Sequence, residues 1–217
     1  MPDIKVHPAL MAADCGYLAQ AVETVVDAGA EAVHIDIADG RFAPYFTFGA
    51  AAIAQLRSHC AAQLDVHLLV EEPEILVHDI ADAGADAIAV PIETAARPHH
   101  ILRTVKERGL RAGIAVNPAT SHDALEFVID QVDFVIVLTE DPGYSERAFL
   151  STMMRKVHDL RAMLGERDLA VEGGIDEHTA TACIEAGANV LIPGDYVFGH
   201  VSCIEAIASL RHAGEPA

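Results

Sequence analysis

Apolar residues along the chain occur in eight short, nearly continuous runs, separated by longer stretches in which apolar and polar residues follow a helical period. Such apolar runs are typical of parallel strands that are covered on both faces. The predicted strands are residues 4–9, 32–37, 64–70, 87–92, 111–116, 134–138, 169–172 and 190–193. The predicted helices are residues 17–28, 49–61, 73–83, 97–108, 121–129, 148–164, 177–186 and 202–212.

A short acid-Ala-Gly-Ala motif recurs at residues 27–30, 82–85 and 185–188, each time after a predicted helix and before a predicted strand. A glycine at this point is the usual left-handed residue that ends a helix, and Gly109 takes the same place before the fifth strand. Eight strand–helix units in 217 residues predict an α/β fold, a single (β/α)₈ TIM-barrel domain over residues 1–217. An open dinucleotide-binding sheet is not expected, because no G-x-G-x-x-G follows the first strand.

The composition makes two classes of binding partner, nucleic acids and membranes, unfavourable. The 33 acidic and 14 basic side chains give a formal net charge of −19, which makes binding to the phosphates of a nucleic acid unfavourable. No apolar run reaches the roughly 18–20 residues of a membrane helix, so no membrane partner is expected. The first residues lack the pattern of a secretion signal, and the four cysteines form no C-x-x-C pair. These features predict a cytoplasmic protein with reduced thiols.

Polar residues at the carboxyl ends of three strands mark the candidate site, because that end of a TIM barrel carries the chemistry. His34 and Asp36 lie two residues apart on the second strand and therefore point to one face. His67 lies near the end of the third strand, and Glu172 ends the seventh. A single inward histidine is more often a hydrogen-bonded core residue, but a buried carboxylate requires a partner. The four together predict a site for one divalent ion: Zn²⁺, Mn²⁺, Fe²⁺ or Co²⁺.

The same segments give the chain its resemblance to the ribulose-phosphate 3-epimerase family, which extends over nearly the whole length. Residues 34–44, HIDIADGRFAP, resemble the family's H-x-D-x-M-D-G-x-F-x-P segment. Residues 65–70, DVHLLV, are similar to its D-x-H-L-M stretch, and VEGG at residues 171–174 stands where the family has V-D-G-G. NPAT at residues 117–120 and DPGY at residues 141–144 resemble its N-P-x-T and N-P-G-F turns. The order and spacing of these segments make the resemblance specific.

The resemblance implies an isomerase of carbohydrate metabolism that epimerises carbon 3 of a pentose phosphate, a ketose, through an enediolate. It implies that the metal is held by His34, Asp36, His67 and Glu172, and that Asp36 and Glu172 act as base and acid on opposite faces of the substrate. It also implies assembly as a homo-oligomer. The substrate-binding residues that it implies are His67, Gly143, Arg147, Gly173, Gly174, Gly194 and Asp195.

The sequence departs from the family pattern most where phosphate would bind. The family's G-F-G-G loop offers backbone N–H groups to phosphate, and its counterpart here is GYSER at residues 143–147. The G-S pair after strand eight is replaced by Gly194 and Asp195, which places a carboxylate near the expected phosphate. Arg147 can compensate, since a guanidinium binds phosphate through two hydrogen bonds. The altered loop and Asp195 predict weakened phosphate binding. Separately, Glu172 replaces an aspartate and shifts a ligand by more than about 1 Å, so we also expect a retuned metal site.

Two alternatives fit parts of the sequence, and a third fits poorly. A related ketose without phosphate is compatible with the altered loop at residues 143–147. A catalytically inactive homologue that binds a ligand or partner fits Glu172 and Asp195, but not the intact His34, Asp36 and His67. A decarboxylase or aldolase of the neighbouring barrel group would show D-x-K-x-x-D, and DIAD at residues 36–39 lacks the lysine.

Overall fold

Eight parallel strands form one sheet in the computed structural model, which describes residues 3–143 and 149–214. The strands are β1 (Lys5–Val6), β2 (Val33–Ala38), β3 (Leu64–Leu69), β4 (Ala87–Pro91), β5 (Arg111–Val116), β6 (Phe134–Leu138), β7 (Asp168–Glu172) and β8 (Val190–Ile192). Each strand from β2 to β7 pairs with the next one along the chain, and β8 also pairs with β1. Neighbours in sequence are therefore neighbours in space.

The sheet closes on itself through the backbone at His34. The N–H group of His34 donates to the carbonyl of Pro8 over 2.9 Å, and Ala9 and His34 form a parallel bridge between the first two strands. On its other side, Ala9 donates its N–H group to the carbonyl of Pro193, just after β8, over 2.8 Å. The predicted TIM barrel is confirmed.

Helices cover the outside of the barrel. They are α1 (Leu18–Asp27), α2 (Ala50–His59), α3 (Pro73–Asp82), α4 (Pro98–Glu107), α5 (Met153–Leu164), α6 (Glu177–Ala186), α7 (Asp195–Phe198) and α8 (Cys203–His212). The glycines predicted to end helices, Gly29, Gly84, Gly109 and Gly187, have φ angles of 96°, 101°, 78° and 113°, as expected for left-handed residues. Among the described residues, no helix combines the length and the apolar character needed to cross a membrane.

The predicted helix over residues 121–129 is wrong. The chain forms two short 3₁₀ helices there, His122–Leu125 and Ile129–Gln131. The guanidinium of Arg167, from the segment before β7, donates to backbone carbonyls of this region, including that of Val132 over 3.0 Å. This contact anchors the chain just beyond the end of the predicted helix. The helical spacing of the apolar residues is met by two short 3₁₀ turns, so the pattern does not decide the local structure.

Two further helices differ from their predicted extent. The predicted helix over residues 148–164 begins later, because α5 starts at Met153; residue 148 lies outside the described residues. The four-residue helix α7, which follows Gly194, is absent from the prediction. A helix of one turn is too short to produce a periodic pattern of apolar residues.

The barrel interior is a separate layer of apolar side chains beneath the site. Small residues on β4, β5 and β7 leave room for larger ones on β6. This interior cluster consists of Ala9, Ala87, Ala89, Ala115, Phe134, Ile136, Leu138, Ala170, Val190 and Ile192. Gly113 on β5 lies so close to the ring of Phe134 that a Cβ atom at Gly113 would overlap it. The floor under the site is therefore densely packed.

Charged residues close the opposite end of the barrel. Asp168, at the start of β7, accepts hydrogen bonds from the side chains of Lys5 and Asn189, each over 2.8 Å, and pairs with Arg111. These partners lie on β1, just before β8 and on β5. The cluster joins the starts of several strands at the end away from the predicted site.

We predict that Gly113→Ala lowers the free energy of unfolding by about 1–3 kcal/mol, because the new methyl group displaces the ring of Phe134. Unfolding in urea measures the loss. In a Phe134→Leu background, Gly113→Ala should lower the free energy of unfolding by a clearly smaller amount. An equal cost in the two backgrounds would contradict this account of the barrel interior.

Candidate metal centre and active site

Strand register brings the four predicted metal ligands together. His34 and Asp36 lie on β2, and Ile35 between them points into the apolar layer under the helices. The register of β2 and β3 pairs Asp36 with His67. Glu172 is the last residue of β7. All four side chains thus start from β2, β3 and β7 and face one space.

The facing atoms of these residues lie close to one another. One atom from each of the four residues lies within 4.8 Å of those from the other three. Oδ1 of Asp36 lies 3.3 Å from Nε2 of His34 and 3.4 Å from Nδ1 of His67. Oε2 of Glu172 lies 3.2 Å from Nδ1 of His67 and 3.6 Å from Nε2 of His34. The atoms surround one small volume at the mouth of the barrel.

These atoms are buried and lack hydrogen-bond partners. His34 and His67 are fully buried, and Asp36 is 1% exposed. In the described part of the chain, the ring nitrogens of both histidines, both oxygens of Asp36 and Oε2 of Glu172 make no hydrogen bond. Buried polar atoms in this state are costly unless a further partner binds them. Two imidazoles and two carboxylates suit a divalent first-row metal, so the residues fit such an ion and can hold it.

The four groups also alter one another's protonation. Burial would lower the pKa of His34, but the charge of Asp36 and the contacts with Asp36, Asp65 and Glu172 together outweigh burial and hold that pKa well above its usual value. Burial would likewise lower the pKa of His67, but Glu172 and Asp36 raise it to about 9. Burial raises the pKa of Asp36, yet the facing imidazoles lower it by more, so the net shift is downward. The two carboxylates therefore favour a positive charge in the space between them, such as that of a protonated imidazole.

Asp65 lies behind His34 and is missing from the predicted site. It pairs with His34 in the register of β2 and β3, and its Oδ2 lies 3.6 Å from Nδ1 of His34 and 3.2 Å from Nδ1 of His7. A carboxylate on the far side of a ligand imidazole orients the ring toward the metal. Asp65 is therefore placed to position Nε2 of His34. Asp65 and His67 are two residues apart and therefore lie on one face of β3. This spacing in the sequence could have identified Asp65.

Glu140 is a second residue missing from the prediction. It lies two residues beyond β6 and lines a cavity together with Tyr45, Glu172 and Gly173. Its Oε2 is buried and has no hydrogen-bond partner among the described residues. Burial, with the charges of Glu172 and Asp195, raises the pKa of Glu140 to about 7. The other four residues were identified because they lie near the carboxyl ends of strands. Glu140 follows the end of β6, so the same criterion could have identified it.

The predicted substrate-binding glycines near β6 and β7 lie at this cavity or beside it. Gly143 and Gly173 line the cavity. Gly173 has a φ angle of 107°, and a Cβ atom there would lie 2.7 Å from Cγ of Glu140. Gly174 follows, and a Cβ atom there would lie 3.2 Å from that of Phe149. A side chain at Gly173 would therefore displace Glu140 from the cavity wall.

Two more of the predicted substrate-binding residues, Gly194 and Asp195, lie just after β8. Gly194 lies beside the loop after β1, where its added Cβ atom would lie 3.3 Å from that of Ala12. Asp195 is exposed at the start of α7, and it does not line the cavity of Glu140. Its charge nevertheless reaches Glu140, because it contributes to the raised pKa of that carboxyl group. Arg147 lies outside the described residues.

Comparisons with known proteins show which sequences and which folds the chain is similar to. The sequence model described as the Ribulose-phosphate 3 epimerase family matches residues 5–198. Ribulose-phosphate 3-epimerase of Bacillus subtilis is 36% identical over 213 residues, covering 96% of this chain and 98% of that protein. The Synechocystis enzyme of the same name is 37% identical over 220 residues, covering 99% and 96%. A Mycobacterium tuberculosis tryptophan synthase chain is similar in fold alone, with a TM-score of 0.68 and 14% identity over 99% of this chain and 94% of that one.

We predict that Thr139→Val weakens the affinity of the protein for a divalent metal by about 10-fold or more, as loss of a supporting hydrogen bond does. Thr139 is fully buried, and its hydroxyl lies within hydrogen-bond distance of the carbonyls of Glu172, at 2.8 Å, and of Gly173, so its one hydrogen can be shared between them and hold the end of β7. Calorimetric titration with Mn²⁺ or Zn²⁺ gives the affinity. Thr139→Ser, which keeps the hydroxyl, should bind the metal within a few-fold of the unmodified protein. Equal weakening in both variants would contradict this role of the hydroxyl.

Proposed function

Because the chain belongs to the ribulose-phosphate 3-epimerase family, we propose that it is a metal-dependent epimerase that inverts carbon 3 of a ketose of the ribulose 5-phosphate type. The observation that most supports this is the convergence of four buried, unpartnered ligand groups on one point of the barrel mouth. The names of the relatives indicate a ketose phosphate as the class of substrate. We further propose that residues 1–217 work as one domain, in a cytoplasmic homo-oligomer.

The chemical difficulty of this reaction explains why such a site is needed. A C–H proton beside a ketone is less acidic than a carboxylic acid by about 15 pKa units, a gap of about 20 kcal/mol. A divalent ion held by His34, Asp36, His67 and Glu172 supplies the Lewis acidity that lowers this gap. The donor set is compatible with Zn²⁺, Mn²⁺, Fe²⁺ or Co²⁺. Asp65, behind His34, keeps one imidazole in the orientation that ligation needs.

Asp36 and Glu172 are the proposed acid–base pair. One carboxylate removes the proton from carbon 3 of the ketose, which leaves an enediolate. The other carboxyl group returns a proton to the same carbon from the opposite face, and the configuration is inverted. The two residues lie on β2 and β7, which are separated around the barrel by β1 and β8. The two carboxylates therefore reach the site from different sides of the barrel, as the two-face mechanism requires.

The apolar walls of the cavity have a part in this proposal. Leu69 and Leu138 line it together with Met11 and Tyr45. These side chains exclude water from the space above the carboxylates, and exclusion of water strengthens the interaction of each charge with the substrate. We propose that His67, Gly143 and Gly173 contact the substrate directly at this level.

We predict that Asp36→Asn slows exchange at carbon 3 by about 10²–10⁴-fold, because one of the two proton-transfer groups is lost. Deuterium incorporation from D₂O into ribulose 5-phosphate and free ribulose, followed by NMR, measures the exchange. Asp130→Asn makes the same chemical change at an exposed position on the outside of the barrel and should leave the rate unchanged. An unaltered rate in Asp36→Asn would contradict the two-carboxylate mechanism.

A further inference from the structure

We propose that His7 is a positioning residue for the metal centre. It holds the carboxylate of Asp65 against Nδ1 of His34, so that the other nitrogen of the His34 ring is directed at the metal. The inference rests on the proposed metal-dependent function. It adds to that function a residue that supports the site from the opposite end of the barrel and is not one of the four ligands.

The side chains of His7, Asp65 and His34 form a continuous line of contacts that ends at the metal site. Nδ1 of His7 lies 3.2 Å from Oδ2 of Asp65, and the same oxygen lies 3.6 Å from Nδ1 of His34. On the other side of the His34 ring, Nε2 lies 3.3 Å from Oδ1 of Asp36. One oxygen of Asp65 therefore faces two imidazole rings, of which only one belongs to the set of ligands.

The line of contacts determines which nitrogen of His34 is available to a metal. A metal binds the lone pair of Nε2, so the hydrogen of the neutral His34 ring has to lie on Nδ1, where it points at Asp65. Burial would raise the pKa of Asp65, but the contacts with His34 and His7 lower it by more, so Asp65 is an ionised acceptor. A carboxylate held in this place selects the ring form and the ring orientation that ligation needs.

His7 supplies the contact that holds this carboxylate. Among the described residues, Oδ1 of Asp65 is buried without a hydrogen-bond partner, and the 3.6 Å between Oδ2 and His34 is longer than a hydrogen bond. The hydrogen bond between Oδ2 and His7 is therefore the anchor of the group. Asp65 is 7% exposed and His7 is 5% exposed, so little water can replace that bond.

The barrel fixes His7 at the end away from the ligands. His7 directly follows β1, and its N–H group donates to the carbonyl of Leu191 on β8 over 2.9 Å. Its side chain lines a cavity of about 280 Å³ together with Asp65, Lys5 and Arg111. Lys5 and Arg111 belong to the charged cluster that closes this end of the barrel. His7 therefore acts on His34 only through Asp65.

The test measures the affinity of the metal-depleted full chain for Mn²⁺ by calorimetric titration. His7→Leu removes the donor, and we expect about tenfold weaker binding, the lower end of the range for loss of a group that supports a metal ligand. His7→Asn keeps an N–H donor at the δ position and should bind Mn²⁺ within a few-fold of the unmodified protein. Lys5→Met breaks a contact with Asp168 at the same end of the barrel and is the matched control, with no change in affinity expected.

A double-mutant cycle separates positioning from a general loss of stability. In an Asp65→Asn background the carboxylate is absent, so His7→Leu should weaken Mn²⁺ binding no further. Urea unfolding of the metal-free variants measures the stability that each substitution removes, and this loss should not follow the loss of Mn²⁺ affinity. His7→Gln moves the donor away from the δ position and should weaken Mn²⁺ binding as well, which keeps the test available if His7→Leu does not fold.

Unchanged Mn²⁺ affinity in His7→Leu and His7→Gln, or losses in His7→Leu and Asp65→Asn that simply add in the double variant, would overturn the inference and leave the proposed function intact. Failure of the unmodified protein to bind Mn²⁺, Co²⁺ or Zn²⁺ would overturn the proposed function and the inference together.

Discussion

Two imidazoles and two carboxylates that face one another without forming hydrogen bonds are the constraint on which the rest of the structure depends. His34, Asp36 and His67 are almost completely removed from water, and Glu172 completes the set. Their removal from water costs free energy, and the attraction between the carboxylates and the imidazoles offsets only part of that cost. A rigid frame holds the facing atoms of Glu172, His67 and His34 at separations of 3.2 to 3.6 Å around one small volume. The barrel supplies that frame.

Several features of the chain make the frame rigid at this end. The register of β2 and β3 fixes Asp36 beside His67, and the backbone of His34 itself closes the barrel against Pro8. Beneath the site, the interior layer around Phe134 fills the barrel and leaves no space into which the ligands could sink. Burial of apolar residues thus supports a polar site whose removal from water costs free energy.

The part of the site that follows from strand geometry could be predicted from the sequence. His34 and Asp36 share a face because side chains on a strand alternate, and convergence with His67 and Glu172 follows once the barrel is recognised. Glu140 was missed because the segment after β6 resembles a turn motif, and a turn does not show where its side chains point. The packing of Glu140 over Gly173 depends on two separate strands.

The errors in the fold have a similar cause. The apolar spacing over residues 121–129 satisfies a helical pattern, but the chain forms two short 3₁₀ helices there, and Arg167 anchors the segment just beyond them at Val132. The one-turn helix α7 was not predicted, because four residues are too few to show a period. In each case a contact or a turn between elements decides the outcome, and periodicity within one element carries no information about it.

The most direct test of this account is the amount of metal that the protein binds at equilibrium. Metal-depleted protein would be dialysed against Co²⁺ or Zn²⁺, and the bound ion would be measured per chain alongside the variants His34→Ala and His67→Ala. The account predicts one tightly bound ion per chain in the unmodified protein and large losses of affinity in both variants, with His99→Ala, an exposed histidine on α4, unaffected. Failure of the unmodified protein to bind any divalent ion, or equal binding by all three variants, would contradict it.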